Sequence, residues 1–341
     1  MNLDLPLIWA GVIAVGVLMY VLLDGFDLGV GILFPFAATP QERDTMMDTV
    51  APVWDGNETW LVLGGGGLFA AFPAAYGALM PALYIPILLM LLALILRGVA
   101  FEFRLRGRRR GKRFWTAAFA GGSITATIAQ GFVLGGFIQG VRLEEGQFAG
   151  GPFDWLTPYT VLVALGLLAG YALLGATWLI WKTEDELHGR ARRWAWISMA
   201  LTAGLLFAVS AATLTVHPRI AARWGFEGGA VELSALLPLL PIPAVGLAGL
   251  AAIVAGLRRK SHGFPFLGAF AVFLSGYLGL AVGFFPNIVP YDMTFRDAAS
   301  ADNALGLMLV GVAILLPFIL GYTAWVYWLF RGKVSADAGY H

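Results

Sequence analysis

An all-helical integral membrane protein of about nine transmembrane helices is the fold class that three features of this sequence predict. Of its 341 residues, 59% are hydrophobic and only 13% charged, which is too little polar surface for a water-facing fold of this length. The apolar residues fall in runs long enough to cross a bilayer, which takes about 20 residues of helix. The basic residues fall in the breaks between those runs, and unevenly on the two sides. No stretch is polar enough to form a separate soluble domain, so function is expected in or beside the bilayer.

In chain order the spans read Leu7 to Phe36, Trp54 to Tyr76, Leu79 to Leu96, Phe114 to Gly140, Pro158 to Trp181, Trp194 to Val216, Leu233 to Leu257, Phe264 to Phe285 and Ala304 to Phe330. Before the first run stands Asp4 with no Lys or Arg, unlike the basic flank of a cleaved signal peptide, so that run is expected to remain as a span. Alternate loops carry Arg43, the basic run from Arg97 to Arg113, Lys182 to Arg193, Arg258 to Lys260, and Arg331 with Lys333, which is 18 of the 22 basic residues. The other side has Arg142, Arg219, Arg223 and Arg296. By the positive-inside rule this places the C-terminus in the cytoplasm and the N-terminus outside, which requires an odd number of spans. The same assignment leaves no Lys or Arg inside a span. Nine helices suit two four-helix bundles plus one extra helix.

Ten tryptophans, among them Trp9, Trp60, Trp155 and Trp178, lie mostly near span ends and read as an interfacial belt. Glycine pairs at four-residue spacing, Gly25 with Gly29, Gly131 with Gly135, Gly136 with Gly140, Gly166 with Gly170 and Gly279 with Gly283, predict close helix contacts. The run Gly64 to Gly67 costs roughly 1 kcal/mol of helix propensity per residue relative to Ala, so something bulky or another backbone is expected against it.

Net charge is +1, which gives no bulk attraction for nucleic acid. The arginines from Arg104 to Arg113 are explained by topology alone. With no Cys, disulfides, thiolate-held iron–sulfur clusters and cysteine nucleophiles are excluded. His188 and His262 fall in basic-side loops, His341 is terminal, and His217 ends a span before Pro218, so axial haem ligands are not expected within the bundle. Met19, Met80, Met90, Met199 and Met308 are isolated and read as packing. No metal site and no cofactor site of this chain is predicted.

Acids within spans are costly and are therefore the candidate functional groups. Asp24 and Asp27 share a face of the first helix, roughly 25 to 30 Å from its start. The second span enters from that same side through Trp54-Asp55-Gly56-Asn57-Glu58-Thr59-Trp60, which brings Asp55 and Glu58 to comparable depth. No base of this chain is expected among the four. For Asp55 and Glu58 a capping box at a helix start is a competing explanation. For Asp24 and Asp27 that explanation fails, and a proton path, a cation site or a partner's Arg remains open.

The motifs are specific enough to compare. The segment Asp24 to Gly31, the segment Ala51-Pro52-Val53-Trp54-Asp55-Gly56-Asn57-Glu58-Thr59-Trp60-Leu61, the segment Arg97 to Arg104, and the distal segments Phe284 to Pro290 and Tyr322 to Val334 resemble subunit II of the cytochrome bd family of quinol oxidases, end to end. Asn57-Glu58-Thr59-Trp60 and Met19-Tyr20 look most like its cyanide-insensitive branch. The resemblance implies a complex in the bacterial cytoplasmic membrane that oxidises quinol and reduces dioxygen to water. It implies a partner, subunit I, that carries haems b and d and the quinol site, while the present subunit carries none. A small single-helix accessory subunit and a structural quinone are further implied possibilities. By match to the family's Trp-Asp-Gly motif, Asp55 would contribute to a polar channel at the subunit interface. Asp24 and Asp27 match the other acidic motif, and Trp54, Gly56, Asn57 and Trp60 the motif around the interface. A proton- or cation-coupled transporter is the alternative that glycine-interrupted spans with deep acids also suit.

Overall fold

A computed structural model describes residues 3–106, 109–227 and 230–334. Helix α1 (Leu5–Leu33) ends where Pro35 forces a 3-10 turn, Phe34–Phe36, and is followed by a short amphipathic helix α2 (Pro40–Val50). Then come α3 (Trp54–Ala71), α4 (Pro73–Ala82), α5 (Tyr84–Arg106) and α6 (Arg109–Gln139). The second half holds α7 (Pro158–Lys182), α8 (Asp185–Val216), the short α9 (Pro218–Arg223) and α10 (Leu233–Leu236), then α11 (Pro241–Arg258) and α12 (Phe264–Phe284). Helix α13 (Asp302–Leu329) closes the chain. Three two-stranded antiparallel hairpins, at 143–148, 226–231 and 287–294, sit in the connections.

Eight of these helices are long and apolar enough to cross a membrane. The ninth crossing is α3, whose 18 residues rise about 27 Å although its first turn is polar. It starts beside the end of α5, where Trp54 stacks on Phe101 at 5.3 Å. It finishes among Trp9 and other residues from the start of α1. Connectivity therefore needs it as a crossing.

The span boundaries move where proline or a polar turn was misread. Leu79 does not open a span, because Pro73 and Pro81 cut out the short α4, and α5 begins at Tyr84 and runs on past Leu96. The seventh span starts at Pro241 rather than Leu233, since Pro238 confines 233–239 to single turns. Helix α8 starts at Asp185, nine residues before Trp194, because its charged first turns, acidic at Asp185 and Glu186 and basic from Arg190, are themselves helical.

Helices α1, α3, α5 and α6 pack as one group and α7, α8, α11 and α12 as a second, joined chiefly where α7 meets α1 and α6, with α13 resting on α1 and α3. The join is made by glycine. A Cβ on Gly29 would overlap the carbonyl of Tyr171, one on Gly175 the backbone of Gly29, and one on Gly131 the Cα of Ala164. The expected close approaches are thus present at α1/α7 and α6/α7. They are missing for Gly166, Gly279 and Gly283, where a Cβ would meet only side chains at ordinary van der Waals distance. In the run from Gly64, Gly64 and Gly67 meet Val17 and Ile13 of α1, while Gly65 and Gly66 have nothing within 4 Å. Several expected belt tryptophans are core residues instead: Trp178 stacks on Phe26 at 4.2 Å, Trp60 is buried, and Trp9 donates its indole N–H to the Leu305 carbonyl at 3.0 Å. A ring one or two turns inside a span end reaches inward as easily as toward the interface.

Candidate functional site

Asp24 and Asp27 lie on the inward face of α1, and both are 0% exposed. Because α5 continues as helix through 97, Arg97 is carried into the bundle, only 1% exposed, rather than into a loop. Its Nη1 donates to Asp24 Oδ1 at 3.1 Å and lies 3.6 Å from Glu58 Oε2. This overturns the expectation that no base of this chain joins the acids. The break at Arg97-Gly98 looked like a loop because a guanidinium in a span is costly, and the cost is met here by two carboxylates.

Asp27 has a different partner. Asn57 Nδ2 on α3 donates to its Oδ2 at 2.7 Å, and the Tyr327 hydroxyl of α13 donates to Asn57 Oδ1 at 2.8 Å. One amide thus ties three helices together. Asp27 forms no ion pair among the described residues, and Asp24, Asp27 and Glu58 outnumber Arg97. Asp24 Oδ2, Asp27 Oδ1 and Arg97 Nε and Nη2 are buried with no hydrogen-bond partner among the described residues. The cluster therefore has more acid than base and spare hydrogen-bonding capacity, the chemistry of a site that takes up and releases protons.

Toward the centre of the chain the polar groups continue. Tyr20 is one turn from Asp24 on the same face of α1. Gln130 of α6 donates from Nε2 to the Tyr20 oxygen at 2.6 Å and accepts from the Tyr171 hydroxyl of α7 at 2.9 Å. All three side chains are buried. Arg97, Gln130, Tyr171 and Tyr327 are the site residues that sequence reasoning missed. The available signal was the same as for the acids, a strongly polar side chain such as Gln130 inside an apolar run.

Asp55 is separate from this interior set. It is exposed, in the first turn of α3, on an outward face that also shows Gly56, Thr59, Val62, Gly66 and Phe69. Glu58, with 28% of its side chain exposed, stands between that face and Arg97. The capping box does not form: the N-cap is Val53 and has no side-chain cap. Both acids still gain from the positive end of the α3 dipole. Trp54 is half-buried on Phe101, and Trp60 packs in the core. At the same end of the bundle, Arg104 binds Asp44 of α2 at 2.7 Å and lies over Phe34. Asp48 on α2 is held above the usual carboxylate range by partial burial and by neighbouring Asp44.

The histidines do not approach the acids. His188 and His262 are neighbours at 5.0 Å beside the basic loops, and His217 stacks on Tyr291 at 3.8 Å at the opposite end. His341, Arg108 and the terminal residues after Val334 lie outside the described residues.

Comparison with known proteins accords with this arrangement. The subunit 2 of cytochrome bd-I ubiquinol oxidase from Escherichia coli K12 is 28% identical over 98% of this chain and 96% of its own length. Cytochrome bd ubiquinol oxidase subunit 2 of Bacillus subtilis is 29% identical over 96% of each chain. The fold is similar to that of a chain in the structure of bd oxidase from Geobacillus thermodenitrificans, with a TM-score of 0.79, 16% identity, and 97% of this chain and 100% of that one covered. Nothing in these likenesses supports the transporter alternative. A family model described as cytochrome bd terminal oxidase subunit II matches residues 5–330, and the chain belongs to that family.

Proposed function

We propose that this chain is the haem-free subunit II of a complex that oxidises quinol and reduces dioxygen to water, and that its buried acids deliver protons to the oxygen-reducing centre of a haem-bearing subunit I. The relatives named as ubiquinol oxidase subunits support the overall reaction. The proton role is carried by one observation: the Asp24, Asp27, Arg97 and Glu58 cluster opens through Glu58 onto the outward face of α3 that bears Asp55. Hydrocarbon does not tolerate an ionised acid beside bare glycines, so a protein partner covers that face. Protons collected at the basic face, where α2 adds Asp44 and Asp48, then pass by Asp55 and Glu58 to the interior acids and to the partner. The haems belong to that partner, as the placement of His188, His217 and His262 supports.

The reading takes the basic face as cytoplasmic, with the N-terminus external. A reporter fused after Lys333 should report the cytoplasm, and an external signal would reverse the direction of proton entry. For the proton role, Asp55→Asn in the intact complex is the test, since Asp55 caps nothing and the amide keeps its shape. Haem content should stay full while oxygen consumption falls about tenfold or more, in the range typical of lost acid–base groups. Full haem with a wild-type rate would remove Asp55 from the path.

A further inference from the structure

Between α8 and α11, away from α3 and from the acid cluster, runs an open groove of about 510 Å³. Its walls are apolar, with alanines at 200 and 203 on α8 and at 251 and 255 on α11 set among Met199, Leu250 and Val254, and its mouth at the basic face is formed by Arg258 and Arg259. Neither arginine forms an ion pair among the described residues. Behind them, Arg192 lies on the face of α8 that carries Met199 and Ala203, seven and eleven residues on, and holds the end of α11. Its Nη2 donates to the carbonyl of Leu257 at the end of α11, while its Nη1 is buried with no partner. Two guanidiniums without an ion pair among the described residues, Arg258 and Arg259, therefore stand at one end of a groove whose other lining is apolar.

We infer that this groove binds a phospholipid with a net anionic headgroup from the leaflet at the basic face. An acyl chain fills the apolar channel, and the lipid phosphate takes Arg258 and Arg259. The shape suits it, because the small alanine side chains among the lining leave an open apolar channel of about 510 Å³ that Phe at one of them would fill. The charge suits it, because a zwitterionic headgroup brings its own cation and so gains less from two guanidiniums than a phosphatidylglycerol does. Lipid bound there would fasten α8 to α11, which touch each other far less than either touches its hairpin partner.

The test uses the purified intact complex, stripped of lipid in mild detergent and titrated with phosphatidylglycerol or phosphatidylcholine while bound lipid is counted by native mass spectrometry. Wild type should prefer phosphatidylglycerol about tenfold. Arg258→Gln with Arg259→Gln should abolish the preference, and Ala251→Phe, with every charge intact, should lower binding of phosphatidylglycerol by a similar factor. Equal binding of the two lipids, or a preference unchanged in both variants, would overturn the inference. Displacement by soluble glycerophosphate at equal concentration would also overturn it, by showing a phosphate site with no use for the groove. Oxygen consumption is not the readout, so failure here leaves the proton role untouched.

Discussion

Arg97→Met is expected to cost the subunit about 3–5 kcal/mol, the largest single loss anticipated, because it strands Asp24 as a buried carboxylate without its cation. The thermal midpoint of the complex should fall sharply and assembled complex should be scarce. Methionine keeps most of the volume, so packing explains little of the loss. Adding Asp24→Asn should restore much of the stability, since the pair then disappears together. A single Arg97→Met variant as stable as wild type would mean that Asp24 and Arg97 do not face each other as a charged pair.

The second large effect concerns the seam between the halves. Gly29→Ala places a Cβ against the Tyr171 carbonyl and 2.7 Å from the Gly175 nitrogen, both backbone atoms of α7 that cannot turn aside. Helices α1 and α7 must separate, and overpacking of this kind costs about 1–3 kcal/mol. The same move disturbs Asp27, two residues away, and the Tyr171–Gln130 bond. Size-exclusion analysis should show little complex, and thermal unfolding should start earlier. Gly66→Ala adds the same methyl group where this chain itself offers no clash, so the two variants separate in the stability of the subunit alone. Nothing lies within 4 Å of it, so alanine should favour α3 by ~1 kcal/mol. If the partner packs on that face as proposed, the same change lowers the yield of complex while leaving this subunit folded.

Much of this architecture is legible in the sequence because the bilayer imposes it. Apolar runs and the one-sided distribution of arginines fix the class and the number of crossings, and the Gly29 and Gly131 contacts follow from small residues at helical spacing. The acids at 24 and 27 stand out because membrane helices rarely carry them. What was not legible depends on which way a side chain turns. Arg97 reads as the first residue of a basic loop until α5 is seen to continue for two and a half more turns. Asp55 and Glu58 read as a pair at one depth, yet three residues around α3 put one outside and the other against Arg97. Tyr327 comes from the last helix, 270 residues away from Asn57, a pairing no local pattern predicts.

The claim that the interior acids carry protons is tested most directly by timing proton uptake from the basic face when the fully reduced complex meets oxygen, with Asp27→Asn compared to wild type at equal haem content. Asparagine can keep the contact with Asn57 and removes only the ability to bind and release a proton. The proposal predicts that uptake slows about tenfold or more in the variant, together with the oxygen-reduction steps that consume those protons. Uptake at the wild-type rate in Asp27→Asn would contradict it and leave Asp27 as a tether between α1, α3 and α13.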